Sequence, residues 1–388
     1  MRILYVAMKY DYGKPEQGYS FEHCNFYDSL QHMGHTILYF DFMTLMQKHG
    51  RRWMNRRLIE VVKAEKPDLM FTCLYTDQFD PKTIRYISKK TNTVTLNWFC
   101  DDHWRFDDFS QYWAPCFNWV VTTDQSALSK YAAIGYKNVI KSQWGSNHFL
   151  YKKLDLPLKY DVTFVGQAHG DRKQVIEQLQ QAGIKVEAWG NGWENGRVSQ
   201  AEMIEIFNSS RINLNLTNAS VPQSPKPYSR YLSSFPLKLI FRVSAKTPLK
   251  KWLNYDNVGE LIEKLIPAAA GNSQSSTQQY SQQIKGRNFE VPSCGGLILT
   301  SPADNLEDYY ILGQEIICFD DTNDLINKIK YYLEYEQERH AIAQAGYERT
   351  LKEHTYTERF NSIFKHIGLL ENTKETNVVE IGQTIDIT

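Results

Sequence analysis

The sequence predicts an α/β fold built of two doubly wound domains. Short apolar, β-branched runs alternate with helical patterns along most of the 388 residues, as expected for parallel strands joined by helices. The runs are continuously apolar, which is typical of strands buried on both faces. A chain of this length also exceeds what one hydrophobic core usually supports, so two domains are expected.

The first domain is predicted over residues 1–150. Residues 2–7 form a short strand, a Gly- and Pro-containing loop follows, and a helical pattern runs from Ser20 to Met33. A second strand, a helix with a proline stop and a third strand come next, which gives a βαβαβ unit. Further strand-like segments continue the sheet to the end of this domain, within 87–102, 117–124 and 138–144.

The second domain is predicted over residues 151–370, after a charged stretch with one proline that marks the boundary. The same α/β rhythm continues there. It is interrupted over 221–283, where six prolines and a polar stretch predict an irregular excursion. Residues 371–388 carry no convincing amphipathic period and are predicted to form a flexible tail.

Charge and cysteine content narrow the classes of function. Lys plus Arg and Asp plus Glu each number 44, so the basic footprint of a nucleic-acid-binding protein is missing. No apolar run approaches the roughly 20 residues of a membrane span, and no signal peptide is evident, so a cytoplasmic protein is expected. Six scattered cysteines without a CxxC pair predict neither a zinc knuckle nor a disulfide framework.

Two glycine-containing turns follow predicted strands. The first loop contains Gly13 and Gly18 but no G-x-G-x-x-G, so the fingerprint of NAD enzymes is absent. This loop either borders a ligand crevice or is a plain connection. In the second domain, Gly166 and Arg172 lie between a strand and a helix start, where free backbone N–H groups favour phosphate. A tight βα turn with an ordinary arginine fits the same residues.

Three polar residues, Asp101, Asp102 and His103, follow a strand of the first domain. A carboxylate or imidazole there could take a proton from an attacking hydroxyl; for His103, a capping or core role is the alternative. Adjacent aspartates also suggest a metal pair, which we disfavour because Mg²⁺ sites usually need further oxygen ligands. Asn147 and Trp189 are predicted to line a cleft, with turn formation and core packing as their alternatives.

The segment 285–310, KGRNFEVPSCGGLILTSPADNLEDYY, is the most informative part of the chain. Glu290 lies in a helical approach and is followed five residues later by Gly295 and Gly296 and then by a buried strand. A carboxylate at such a helix-to-strand turn is expected near the ligand crevice, where it can accept hydrogen bonds from hydroxyl groups.

Several segments resemble one family. RNFEVPSCGGLILT, LGQEIICFDD, ERHAIAQAG and EHTYTERF in the second domain, and YGKPEQGYSFEHCNFYDSL and DDHWRFDDF in the first, resemble the CgeB-like (YkvP-type) glycosyltransferases of the GT-B group. The resemblance implies two Rossmann-like domains that face each other across a cleft. It also implies acceptor binding mainly by the first domain, donor binding mainly by the second, and no obligatory metal or cofactor.

The resemblance also implies which residues bind the donor, at the positions of this sequence that match the motifs of the family. Glu290 would hold the donor ribose before the small turn of Gly295 and Gly296, and the turn from Gly166 to Arg172 would bind the diphosphate. Lys285 and Arg287 are further cationic candidates, for which a solvated helix face is the alternative. The second glutamate of retaining relatives corresponds to Gln282, so the stereochemical outcome is open.

We therefore predict a metal-independent glycosyltransferase that moves a sugar from a nucleotide-diphosphate sugar to a hydroxyl of a glycan or other acceptor. His103 or Asp102 would be the base if the reaction inverts the anomeric centre. Two other classes fit the sequence. A nucleotide-sugar epimerase or hydrolase would consume the donor without an acceptor, and a non-enzymatic carbohydrate-binding protein would bind without releasing diphosphate.

Overall fold

A computed structural model describes residues 1–217, 283–370 and 382–386. Gln282 and nearly all of the predicted 221–283 excursion lie outside the described residues, as does most of the predicted tail. Two parallel sheets organise the described part. The strands of the first sheet are β1 Arg2–Ala7, β2 Thr36–Asp41, β3 Leu69–Thr72, β4 Val94–Phe99, β5 Trp119–Thr122, β6 Val139–Lys141 and β12 Thr384–Asp386. Their order in the sheet is β12-β2-β1-β3-β4-β5-β6.

The helices of the first domain follow the predicted α/β alternation. The predicted helix at Ser20 to Met33 contains a π-helical segment, His23–Tyr27. The α-helices are α1 Asp28–His32, α2 Phe42–His49, α3 Arg51–Glu65, α4 Pro81–Lys90, α5 Asp102–Arg105, α6 Gln111–Trp113 and α7 Ala127–Ala133.

The first sheet is buried on both faces, which explains its continuous apolar strands. Leu4 and Val6 of β1 belong to one core cluster, whereas Ile3 and Tyr5 belong to the cluster on the other face. Because successive side chains of a strand point to opposite faces, both sets must be apolar when helices cover both sides.

The second sheet has the strand order β11-β10-β9-β7-β8. Its strands are β7 Tyr160–Val165, β8 Val186–Trp189, β9 Ser210–Asn215, β10 Ile298–Thr300 and β11 Ile317–Cys318. The helices of this half are α8 Arg172–Gln181, α9 Gln200–Asn208, α10 Arg287–Ser293, α11 Thr322–Glu334 and α12 Glu336–Glu353. Its strands and helices also form apolar clusters of their own.

The C-terminal part of the chain returns to the first domain, which differs from the predicted division at residue 150. Helix α13, Tyr356–His366, buries Phe360 and Phe364 in a core cluster of the first sheet. The predicted tail contributes β12, which pairs in parallel with β2. The sequence pattern missed both features because an amphipathic face or a three-residue strand does not say which core it joins.

Each sheet reverses its strand order at its first strand, and this reversal positions the site. In the first sheet β2 and β3 lie on opposite sides of β1, and in the second sheet β8 and β9 lie on opposite sides of β7. Ligands of open α/β sheets bind beyond the carboxyl ends of strands at such switch points. The loops after β1 and β7 are therefore the places to look for a site. No helix in the described ranges combines the length and apolar character needed to cross a bilayer.

Candidate functional site

A cleft of about 290 Å³ opens between the two switch-point loops. Residues of the loop after β1 and of the following helix form its first-domain wall, and residues after β7, after β8 and at the start of α10 form the opposite wall. The first wall includes Asp11, Tyr12, Tyr19, Ser20, Phe21 and Asn25. The second includes Tyr151, Gly166, Gln167, Gly190, Asn191, Arg197, Gln200 and Arg287.

Glu290 is fully buried behind the second-domain wall. Its carboxylate pairs with the guanidinium of Arg287 and accepts a hydrogen bond of 2.9 Å from the hydroxyl of Tyr151. The Tyr151 hydroxyl in turn accepts a bond of 2.7 Å from Gln200 Nε2. The predicted carboxylate thus lies at the cleft, but Arg287 and Tyr151 stand between it and the cavity.

Arg287 is the cationic residue of this network that lines the cleft. Burial opposes its charge, but the Glu290 carboxylate outweighs burial, so the pKa of Arg287 is raised. The guanidinium also lies 5.3 Å from the ring centre of Phe207. A cation held in one orientation by a buried carboxylate is suited to bind an anionic group of a ligand.

Gly166 and Arg172 of the segment after β7 were both predicted to bind the donor, and the structure places only Gly166 in the cleft lining. Gly166 lines the cleft, as predicted. Arg172 is buried, and its Nε and Nη1 donate to the carbonyl oxygens of Leu216 and Gln167, both at 3.0 Å. The guanidinium therefore holds two loops of the second domain together, and the prediction that Arg172 binds the donor diphosphate stays a prediction.

The loop after β8 places Gly190 in the cleft where the sequence predicted Trp189. A Cβ on Gly190 would lie 2.2 Å from the carbonyl oxygen of Gly166, and the residue has φ +130°. Only glycine fits this approach of two backbones. Trp189 lies outside the cleft lining and is half-buried, and its ring packs edge-on against the half-buried Tyr160 at 5.3 Å between ring centres.

Two predicted cleft residues of the first domain have structural roles. Gly13 is buried with φ +71°, and a Cβ there would lie 2.2 Å from the side chain of Met43, so glycine lets the loop approach α2. Asn147 is fully buried, and its amide donates to the Cys24 carbonyl and to Asp28, both at 2.7 Å. It ties the segment between the domains to the first-domain helix. Gly18 also lies outside the lining.

Gly295 and Gly296 end helix α10 and are not cleft residues. Their N–H groups donate to the carbonyl oxygens of Pro292 and Val291. These amides are therefore not available to a phosphate. A Cβ on Gly296 would also lie 2.8 Å from Asn213 Nδ2, so the glycine allows close packing of α10 on the sheet.

The structure separates the predicted base candidates. Asp102 is fully buried in the first domain, and its carboxylate accepts a hydrogen bond of 2.9 Å from Tyr131. Burial raises the pKa of Asp102. Asp102 is not part of the cavity lining, so this arrangement does not support it as a base and that role stays a prediction. Asp101 directly precedes α5, and its side chain makes no capping hydrogen bond to that helix.

His103 lies beside the second domain, in contact with the Gln283 amide nitrogen. Lys285, another predicted cation, donates a bond of 3.0 Å to Gln283 Oε1. Burial, then the charges of Lys285 and Lys130, lower the pKa of His103 to about 3. A ring with so low a pKa is a weak proton acceptor at neutral pH. Neither residue is part of the 290 Å³ cavity lining.

An ion pair crosses the mouth of the cleft. Arg197, in the loop before α9, donates from Nη2 to Asp11 Oδ2 at 3.0 Å and to the Gln17 carbonyl at 3.2 Å. Sequence reasoning missed Arg197 and Tyr151, because one lies in a polar loop and the other in a charged boundary segment. Neither segment has a motif that points to a ligand.

One cluster of metal-ligand side chains occurs in the described part of the chain. Glu22, Cys73 and Cys100 bring one ligand atom each within 4.8 Å of one another. The two Sγ atoms are 3.7 Å apart, and Cys73 Sγ donates to Glu22 Oε1 at 3.8 Å. Without a metal ion, the pKa values of both thiols are raised above the ordinary thiol value, so both thiols carry a proton. The cluster is therefore arranged as protonated thiols around a carboxyl.

Comparison with known proteins relates this arrangement to glycosyl transfer. A sequence model of the family described as glycosyl transferase-like matches residues 172–232 and 242–365. Spore protein CgeB from Bacillus subtilis (strain 168) is 22% identical over 304 residues, which cover 76% of this chain and 82% of that protein.

Solved structures show the same fold. HepE from Anabaena, crystallised with UDP, is 11% identical and has a TM-score of 0.57, with 95% of this chain and all of that chain covered. Sucrose-phosphate synthase from Thermosynechococcus elongatus is 10% identical and has a TM-score of 0.55, with 94% and 98% covered.

Two parallel α/β sheets with a cleft between their switch points define a GT-B protein, and the predicted fold class is confirmed. The predicted resemblance is confirmed as well: the chain is a glycosyltransferase related to the CgeB-like proteins.

Proposed function

We propose that this enzyme uses a uridine diphosphate sugar as donor, binds its diphosphate with Arg287, and transfers the sugar to a hydroxyl acceptor without a metal ion. The observation that supports this proposal is Arg287, which lines the cleft and whose guanidinium pairs with the buried Glu290 carboxylate. The UDP complexes of the structurally similar HepE support uridine as the base.

The leaving group of this reaction is a diphosphate that gains negative charge as the glycosidic bond breaks. Preorganised cations and N–H donors aimed at that charge lower the barrier most. Arg287 would supply the cation. Glu290 and Tyr151 would hold it in place, since a side chain already oriented loses less entropy when the ligand binds.

Glu290 is proposed to act through Arg287, and its predicted contact with the donor ribose stays a prediction. As the residues are placed, a ribose hydroxyl would reach the carboxylate only after Arg287 or Tyr151 moved aside. The Gly166 turn would bring backbone close to the donor from the other side. Domain closure would then exclude water from the reacting centre.

The test compares ligands that differ in the number of phosphate groups and in the presence of the sugar. Thermal shifts of the purified protein are measured with uridine, UMP, UDP and UDP-glucose, because a ligand that binds the folded state raises its stability. We expect a clear shift with UDP and UDP-glucose and a small one with uridine. In Arg287→Gln the advantage of UDP over uridine should disappear.

Arg211→Gln is the matched control. Arg211 pairs with Asp161 at 2.8 Å in the same domain, away from the cleft, so its loss tests whether any broken ion pair weakens ligand binding. The Arg211 variant should keep the full response to UDP. A wild-type protein that folds but responds to no uridine nucleotide would contradict the proposed donor.

A further inference from the structure

Glu22 is a residue of the first domain. Its carboxyl group lies in a position that does not stabilise the fold. Glu22 lies between Phe21 and Asn25, which line the cleft, and next to Cys73 and Cys100, which directly follow β3 and β4. Its side chain is therefore at the carboxyl ends of parallel strands, where ligands of such sheets bind.

The surroundings of Glu22 oppose its charge. Burial raises the pKa of this carboxyl, and hydrogen bonds from its own backbone N–H and from Ser20 offset only part of the effect. In the described ranges no Lys, Arg or His forms an ion pair with it. A carboxyl enclosed without a cation costs stability, and such groups concentrate at functional sites.

The first-domain wall of the cleft also presents an aromatic ring, that of Tyr12. Tyr12 lines the cleft, is 50% exposed, and has a left-handed backbone with φ 51°. Glu22 acts electrostatically on its hydroxyl, and the ring packs edge-on against Tyr75 at 6.0 Å. An exposed ring gives an apolar face to the C–H groups of a sugar, and a carboxylate accepts bonds from sugar hydroxyls.

We propose that Glu22 is an acceptor-binding residue, and that its carboxylate accepts a hydrogen bond from a hydroxyl of a sugar acceptor packed on the ring of Tyr12. The inference rests on the proposed function, because the donor would occupy the opposite wall near Arg287. It names the acceptor class as a carbohydrate and adds Glu22, whose neighbours Phe21 and Asn25 line the cleft, to the first-domain candidates for contact with it.

The test uses the full chain saturated with UDP, and glucose, N-acetylglucosamine and their methyl glycosides as acceptor probes. Sugar binding is measured by saturation-transfer NMR, and UDP release from UDP-glucose is measured with the same sugars present. Glu22→Gln keeps the size of the side chain and removes its charge. We expect about 10- to 100-fold weaker use of the sugar, as for a lost hydrogen bond to a charged group.

Two further variants separate binding from folding. Tyr12→Ala removes an exposed ring that supports no core and should weaken the sugar signal as well. Glu16→Gln changes an exposed carboxylate in the same loop and should leave the sugar signal unchanged. UDP affinity, measured by calorimetry, should stay within about twofold in all three variants, since the donor would lie on the other wall.

Three results would overturn the proposal: sugar binding unchanged in Glu22→Gln, UDP affinity lost in parallel with sugar binding, or a wild-type UDP complex that binds none of the sugars. Absence of UDP binding by the wild type is a different result. It would contradict the proposed donor site itself and would remove the basis of the Glu22 proposal with it.

Discussion

Tyr151 donates a hydrogen bond of 2.9 Å to Glu290, although the two residues are 139 positions apart in the chain. The bond joins the segment between the domains to helix α10, and both residues are fully enclosed. Through Glu290 it is also connected to Arg287, one of the two arginines that line the cleft in the described part of the chain. Removal of the Tyr151 hydroxyl should therefore change the affinity for a ligand that makes no contact with Glu290.

Tyr151→Phe should lower the affinity for UDP more than it lowers stability. The variant keeps the ring and removes one buried hydroxyl, which costs about 1 kcal/mol of unfolding free energy. Arg287 then loses part of its support, so the UDP response should fall severalfold. Tyr310→Phe is the matched control, because its buried hydroxyl contacts Thr350 at 2.6 Å outside the cleft lining. Calorimetry with UDP and urea unfolding of both variants distinguish the two effects.

Arg172→Ala should destabilise the second domain. The substitution leaves the carbonyl oxygens of Leu216 and Gln167 without their donors, and a bond to a charged group contributes about 1.5–3 kcal/mol. Lys173→Ala, at an exposed neighbouring position, should change the unfolding free energy by no more than about 0.5 kcal/mol. Equal urea midpoints for the two variants would show that Arg172 is not the structural residue described.

The Asp11–Arg197 pair should contribute little to stability. Its side chains are 29% and 43% exposed, and such pairs are worth about 0.2–1 kcal/mol because water and salt screen them. A double-mutant cycle with Asp11→Asn and Arg197→Gln should give a coupling energy in this range, and 1 M salt should reduce it. A coupling well above this range that persists in salt would contradict the description.

Stability should fall as the pH drops below about 6.5. Burial, followed by the charge of Arg359, lowers the pKa of His354 from 6.5 to about 4. The unfolded chain then binds a proton between these two values while the folded chain does not, so stability is full above pH 6.5 and is lost progressively down to pH 4. Burial also lowers the pKa of His35 to about 4, so this residue makes stability fall over the same pH range.

His354→Gln should flatten this part of the pH dependence, even though it also lowers stability at neutral pH. The ring bonds the Tyr309 carbonyl at 2.6 Å, and glutamine replaces the titrating ring without a charge. Urea unfolding at half-unit pH intervals measures the slope. His340→Gln, at an exposed site, should leave the slope unchanged.

Much of the fold was determined by the sequence itself. Continuous apolar runs such as residues 2–7 identify strands covered on both faces, and the capping box of Ser199 and Glu202 fixes the start of α9 at the cleft. The motif around Glu290 indicated the correct helix-to-strand turn. These are local signals, because period, capping and turn chemistry act between residues near each other in the chain.

Only the tertiary structure decided which side chains meet. It buried Asp102, turned Arg172 towards two carbonyl oxygens, and placed Tyr151 and Arg287 around Glu290. It also returned α13 to the first domain and assembled Glu22 with Cys73 and Cys100 from three segments. Such contacts depend on strand order and on the approach of distant loops, and these are set by the packing of the whole chain, which a local sequence pattern does not encode.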